Sequence, residues 1–578
     1  MPNVLKKIIC FALALALVLA ATGCSGKKSG GKKRDNKKST AAVTSSDFSN
    51  FSTSESDEPV EEEKDDEIED LPEDLPEEQP ESELQELTVQ NGSAPTTTTF
   101  RGINYVFYPY GYFNEDSYGN RLLNNEQRQS ELKNIRKMGI KMLRSYYGSS
   151  LAWDSQQQKY NFENTRMQQF YNFCLDMQKS GIELAITANW SLDAFLEDGG
   201  NADSPVSFAS AGFGVKGNLA ETCRRYRGFM AQTATALQAH GVKNVKYFLG
   251  YTECNNTFKE ENKDKETILE KRDYERLYPI YDAAITALDA GLKDSGLRQS
   301  YKIVAPCDNW RADDGSETYS RLVRYTLKNL ADKVDIIGTH RGYDRANDYT
   351  EDNYYFIPQE NLQECKNEVV AAGKDFWIDE YNVSVSEEKN STIALFRQNH
   401  NNPFKGTALG AMTSSILNMG ASNVFLWALS DQQWPNNANN GEFENGLQIQ
   451  GYLPTPLESY TPMRGWYAAS LITKYLGSGK AYYCDEGNAV YTACVQRDDG
   501  NWTFVVTNYN AEEVNIKLKL EKSIGGKTLY RHAYDPTTVT PTPDAVLNGV
   551  SAVAKNVKTG LYDTIKPYAV YVYTTCKS

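Results

Sequence analysis

Histidine and paired cysteines are scarce in this chain. Four histidines stand among 578 residues, none at zinc-ligand spacing, and the ten cysteines include no C-x-x-C pair. That pattern excludes a zinc ribbon or finger, and no metal site is expected. No Gly-rich phosphate loop follows an early strand, which counts against a dinucleotide-binding doubly wound sheet. Beyond residue 21 no segment is long and apolar enough to cross a bilayer as a helix. A basic surplus is missing too: the formal net charge is −15, which argues against a nucleic-acid partner.

Much of the acidity is local. Eighteen acids and one lysine lie between Glu55 and Glu86, preceded by a basic run from Lys27 to Lys38. Removing these runs and the few charges around them leaves about −5 for residues 88–578. Like-charged segments with so little apolar content cannot bury a core, so residues 24–94 are expected to form a disordered charged linker. Ahead of it, Lys6 and Lys7 precede an apolar run from Ile8 to Ala21 and then Ala-Thr-Gly-Cys24. This reads as an export signal over residues 1–23. The small residues before Cys24 resemble the lipobox of bacterial lipoproteins. That resemblance implies cleavage before Cys24, a lipid on its sulfur, and a protein on the extracellular face of a bacterial membrane, held by the lipid alone. Of the remaining cysteines, Cys484 and Cys494 flank a hairpin pattern and can pair outside the cell. The others read as isolated buried thiols.

From Phe100 onward short apolar runs alternate with longer amphipathic ones. The expected strands are 100–107, 141–147, 182–190, 245–253, 301–308, 334–340, 375–381 and 423–429. Helical periodicity, closed by glycines such as Gly139, Gly181, Gly241 and Gly296, fills the intervals. Eight strand-then-helix units predict an α/β fold, a (β/α)8 barrel over residues 95–480. After Gly477 period-two runs separated by turn residues predict a small antiparallel β-sandwich over 481–578. Thirty-seven tyrosines suit surfaces that touch something polar with an apolar face, such as sugar.

Active sites of such barrels lie at the carboxyl ends of the strands. Collected there are Tyr105, Arg144, Asn189 with Trp190, Glu253, Asp308 with Asn309, His340, Glu380 and Trp427. Two glutamates on the fourth and seventh strands, facing one cleft, are what glycosidic cleavage requires. One stays protonated to release the leaving oxygen while the other stays ionised to attack. Asp379, one residue before Glu380, is expected on the opposite side of its strand, against the helix layer.

Glutamates at those two strand ends resemble the catalytic pair of the clan A retaining glycoside hydrolases. The resemblance makes Glu253 the general acid/base and Glu380, in FWIDEYN, the nucleophile. Arg144, in RSYY, is similar to the clan's strand-two arginine beside the nucleophile. Trp427 is similar to the tryptophan that floors the first sugar subsite, and His340 and Tyr343 resemble the strand-six groups. The order of barrel, helix and sandwich is similar to families 39, 30 and 51, nearest to 39, with family 5 a further relative. One departure stands out. Where the clan carries Asn before the acid/base, this chain has Thr252, whose hydroxyl lacks the two-sided amide pattern; Asn255 is the nearest substitute. The resemblance implies a β-linked polysaccharide or oligosaccharide as substrate, no cofactor and a monomer.

Two other readings stay open. The barrel can be a non-catalytic carbohydrate-binding lipoprotein, a reading that Thr252 feeds. A transporter's substrate-binding protein would instead show two hinged lobes, against the count of eight units.

Overall fold

The computed structural model describes residues 84–105, 125–189, 218–250, 274–309, 321–345, 359–385, 401–433 and 447–577 with short gaps, together with Thr252 and Cys254. The export signal, Cys24 and most of the charged linker lie outside the described residues.

Eight parallel strands form the first layer: β2 (Thr96–Asn104), β3 (Met142–Gly148), β4 (Glu183–Asn189), β5 (Val245–Leu249), β6 (Lys302–Asn309), β7 (Ile336–Arg345), β8 (Asp375–Val385) and β9 (Asn423–Leu426). A strand labelled β1 (Leu84–Val89) precedes them. Each of the eight pairs with its neighbour in chain order, and β9 pairs back onto β2, so the sheet closes into a barrel. Its interior is filled by Met142, Ala185, Leu249, Val304, Ile336, Trp377 and Phe425, which makes the barrel a packed core rather than a pore. The expected (β/α)8 fold is the observed one.

Among the described residues seven helices connect and surround these strands: α1 (Asn125–Lys137), α2 (Thr165–Lys179), α3 (Leu219–Ala239), α4 (Tyr274–Asp294), α5 (Arg321–Asn329), α6 (Gln359–Ala371) and α7 (Phe404–Asn418). An eighth, α8 (Arg464–Leu476), follows β9. Local chemistry sets their ends. Asn164 caps α2 by accepting from the Met167 N–H, and Asn218 caps α3 by accepting from the Glu221 N–H. Past their carboxyl ends Gly181 and Gly241 take φ of 65° and 72°, the left-handed region that stops a helix at least cost.

The second layer grows out of the first. Strand β10 (Gly477–Tyr482) leaves α8 and pairs antiparallel with β2, so the barrel's first strand is shared with a second sheet. That sheet continues through β11 (Val490–Arg497), β12 (Trp502–Asn508), β17 (Val570–Thr574), β14 (Lys527–Tyr534) and β15 (Ser551–Val557). Three strands, β1, β13 (Val514–Leu520) and β16 (Gly560–Ile565), make a separate sheet. Leu87, Val89, Phe504, Ile516, Leu518 and Tyr573 share one buried cluster with residues of both sheets.

Strand β1 corrects the linker boundary. Residues 24–94 were expected to be disordered, yet Leu84–Val89 pairs parallel with β13 along its whole length. The charge average over the acidic block hid a short alternating segment, LQELTV. Leu87 and Val89 point inward, while Glu86 reaches Lys519 at 3.0 Å and Lys517 at 3.5 Å.

Candidate active site

The best-described part of the barrel mouth is built around Glu380. Period-two alternation would put Asp379 and Glu380 on opposite faces of β8. The register prevents it: Ile378 pairs with Thr339 and Glu380 with the next residue, His340, leaving Asp379 as an extra residue in a β-bulge. Asp379 therefore turns inward instead of against the helix layer, and its side chain is fully buried. Gly338 on β7 makes the room, since a Cβ there would lie 2.8 Å from Val304 Cγ1 and 3.4 Å from Asp379 Cγ. A second bulge on β6, between Pro306 and Asp308, presents the thiol of Cys307 to the same carboxylate.

Arg144 ties this cluster together. It is fully buried on β3 and donates from Nη1 to Glu380 Oε1 and to Asn104 Oδ1 at 2.7 Å. Its Nη2 donates to Thr252 Oγ1 at 3.0 Å, and its Nε lies 3.7 Å from Asp379 Oδ2. Asn104 in turn donates from Nδ2 to the carbonyls of Asp379, at 3.1 Å, and Leu426, at 3.2 Å, which locks β2 to β8 and β9 at the mouth.

His340, 2% exposed, places Nε2 3.3 Å from Asp379 Oδ2 and 3.4 Å from Glu380 Oε1. The Tyr146 hydroxyl donates to Glu380 Oε1 at 3.5 Å, and its ring stacks against Arg144, 5.4 Å from guanidinium carbon to centroid. Glu380 keeps 13% of its side chain exposed, whereas the neighbouring carboxylate of Asp379 is fully buried.

The electrostatics follow from the geometry. Burial alone would raise the Asp379 carboxyl and lower the Arg144 guanidinium. For Asp379 the opposing pull of His340 and Arg144 wins, and its pKa falls below the usual carboxylate range. For Arg144 the pull of Glu380, Tyr146 and Asp379 wins, and its pKa rises above the ordinary arginine value. The arrangement can hold a carboxylate beside a buried guanidinium.

Of the residues expected at the site, Arg144, Glu380, His340 and Thr252 are brought into one network. Trp427 follows β9, half-buried, with its N–H donated to the Tyr381 carbonyl at 2.8 Å. Asn189 and Tyr343 end up in β4 and β7, opposite Gly148 and Val383, with side chains outside the described residues. Glu253, Trp190 and Asn255 also lie outside the described residues.

Sequence reasoning missed Asn104, Tyr146 and Cys307, and it set Asp379 on the wrong side of its strand. Tyr146 had a usable signal, because it stands two residues after Arg144 on the same strand and shares its face. Asn104 had one too, as the last residue of its strand. Asp379 and Cys307 face the site through bulges, which no periodicity announces.

No family model matches the chain, and no curated protein matches its sequence. Solved structures do resemble it. An endo-beta1,6-glucanase matches at 12% identity and a TM-score of 0.54, over 85% of this chain and 94% of that one. An arabinofuranosidase of glycoside hydrolase family 51 from Xanthomonas axonopodis pv. citri matches at 12% and 0.52, over 85% and 99%. A xylanase of family 30, subfamily 8, from Clostridium acetobutylicum matches at 12% and 0.50, with the same coverage. At such identity the likeness is one of fold, a closed (β/α)8 barrel with an attached sheet domain, shared with glycoside hydrolases of families 30 and 51.

Proposed function

We propose that this chain is a retaining glycoside hydrolase of the clan A type. The observation that carries the reading is the carboxylate of Glu380, held on the seventh barrel strand by Arg144. In this mechanism Glu380 attacks the anomeric carbon, and the leaving oxygen takes its proton from Glu253. Glu253, now a carboxylate, removes a proton from water, which hydrolyses the glycosyl–Glu380 ester and restores both groups. The buried side of the site serves the first step: Arg144 and Tyr146 hold the Glu380 carboxylate in place, so little reorganisation precedes attack.

Thr252 fits this scheme in a way its sequence position did not suggest. Its hydroxyl oxygen accepts from Arg144, which leaves its own proton to donate to a ligand hydroxyl. The Glu253 side of the cleft would thereby be coupled to the nucleophile through one guanidinium.

The substrate class that suits the fold and the proposed pair is a β-linked polysaccharide or its oligosaccharides. The barrel, helix and sandwich order keeps families 30, 39 and 51 as the nearest models, with neighbours from 30 and 51 in support. With the lipobox-like start, we place the enzyme on the outer face of a bacterial membrane, tethered through Cys24.

Hydrolysis of a panel of aryl β-glycosides and common β-glycans by the parent and by Glu380→Gln tests the assignment. Activity confined to the parent supports it, and equal activity in the two sinks it. A protein that binds glycans equally well in both forms, and hydrolyses none, would instead be the carbohydrate-binding barrel.

A further inference from the structure

Cys484 and Cys494 are brought together by three separate parts of the fold. Cys494 lies within β11, directly across the antiparallel ladder from Tyr482. Cys484 stands two residues beyond Tyr482, so alternation directs both thiols to the same face. Both are fully buried in the apolar cluster of the sheet domain, beside Val89, Val490 and Phe504. The Cys484 thiol points toward the carbonyl of Tyr482, the residue that faces Cys494 across the ladder, at 3.4 Å.

Asn418, at the end of α7, holds the two strands at this point. Its Nδ2 donates to the carbonyls of Cys484, at 3.0 Å, and Thr492, at 3.3 Å, while its Oδ1 accepts from the Cys484 N–H at 3.1 Å. On the other side β1 closes in. Val89 bridges to Cys484, and the Asp485 N–H donates to the Thr88 carbonyl at 2.9 Å. The pair thus sits where the amino-terminal segment enters the folded domain.

We propose that Cys484 and Cys494 form a disulfide in the exported protein, stapling the β10–β11 hairpin at the entry point of the tether. The step consumes one external disulfide, that of an extracytoplasmic thiol oxidoreductase. Two thiols lose two protons and two electrons to form the bond, and the external disulfide is reduced to two thiols. The other described cysteines, Cys174, Cys223, Cys254, Cys307, Cys365 and Cys576, are left as thiols. The bond closes a loop of 11 residues. By the chain-entropy relation its loss should raise the unfolding equilibrium constant by about a hundredfold.

The test uses the full chain recovered from the extracytoplasmic side of an exporting host. It is denatured and alkylated with iodoacetamide, then reduced and alkylated with a mass-distinct reagent. The second label on Cys484 and Cys494 alone, with a linked peptide two mass units lighter than its thiol form, is the expected result. First label on both, or a bond from either to another cysteine, overturns the proposal. A Cys484→Ala/Cys494→Ala variant then reads the staple without chemistry on the thiols. It should match the reduced parent in urea unfolding, and it should be proteolysed faster than the oxidised parent through its unfolded state. A reduced parent as stable as the oxidised one overturns the stapling role.

Discussion

Asp379 and Glu380 are adjacent in the chain, yet both turn toward the single guanidinium of Arg144, which meets Glu380 through Nη1 and faces Asp379 through Nε at 3.7 Å. A bulge makes this possible, and with it the strand presents two carboxylates to one side. The deeper one is fully buried while the outer one reaches solvent, so one cation is shared between a buried carboxylate and a solvent-facing one.

Replacing the outer carboxylate is the sharpest test of roles. Glu380→Gln should fold normally, because an amide can still accept from Arg144, and should lose at least about a thousandfold in kcat on aryl glycosides. Steady-state kinetics on the purified variant, with a circular dichroism spectrum matching the parent, checks both halves.

The inner carboxylate should behave differently. Asp379→Asn leaves Arg144 and His340 with one fewer buried anion, which costs about 3 kcal/mol of stability at neutral pH. The sign of its pH dependence is fixed by the lowered pKa of Asp379. A carboxyl whose folded pKa lies below its unfolded one stabilises above the unfolded value and loses that contribution as pH falls through the folded value. The gap between parent and variant in urea unfolding should therefore be full at pH 7 and shrink below pH 3.8, the ordinary value for Asp.

Glu131 gives the opposite sign. It sits on α1, 4% exposed, and accepts from the Tyr105 hydroxyl. Burial raises its pKa from 4.5 to about 7, against the hydrogen bond from Tyr105. Below pH 4.5 both folded and unfolded chains hold this proton, and stability is undiminished. As pH rises from 4.5 through 7 the unfolded chain sheds the proton first, which costs the fold about 3 kcal/mol in total. Glu131→Gln, isosteric and neutral, should therefore match the parent at pH 4 and exceed it at pH 8 by up to about 3 kcal/mol. Urea titrations at the two pH values check this.

How much of this was legible in the sequence depends on which periodicity each residue obeys. The strand-then-helix units were readable because buried stripes repeat at 2.0 or 3.6 residues and every described helix of the barrel but Arg321–Asn329 is followed closely by a glycine. Arg144, His340, Thr252 and Glu380 were collected because they stand at or near the carboxyl ends of the expected strands, although the observed strands run on past Arg144, His340 and Glu380 to Gly148, Arg345 and Val385. Asp379 and Cys307 were not, because each occupies the extra residue of a bulge, and a bulge is defined by the partner strand's register. Strand β1 escaped for a different reason. A net-charge argument averages over tens of residues, whereas a six-residue strand needs only Leu87 and Val89 on one face and a lysine partner for Glu86 on the other.

That strand supplies the last prediction. Removing residues 1–83 should leave the unfolding midpoint unchanged, because the first strand among the described residues begins at Leu84. Removing residues 1–90 as well strips β1 from β13, where all six of its residues are paired. Leu87 and Val89, 1% and 0% exposed, would then leave open space in the sheet-domain core. Each buried side chain of that size is worth about 2 kcal/mol, and the exposed edge of β13 adds a liability to edge-to-edge association. The longer truncation should thus lower stability by about 4 kcal/mol and raise the tendency to aggregate. Thermal unfolding and light scattering of the two truncations, compared side by side, decide it. Equal midpoints would mean that β1 contributes nothing to the core it fills.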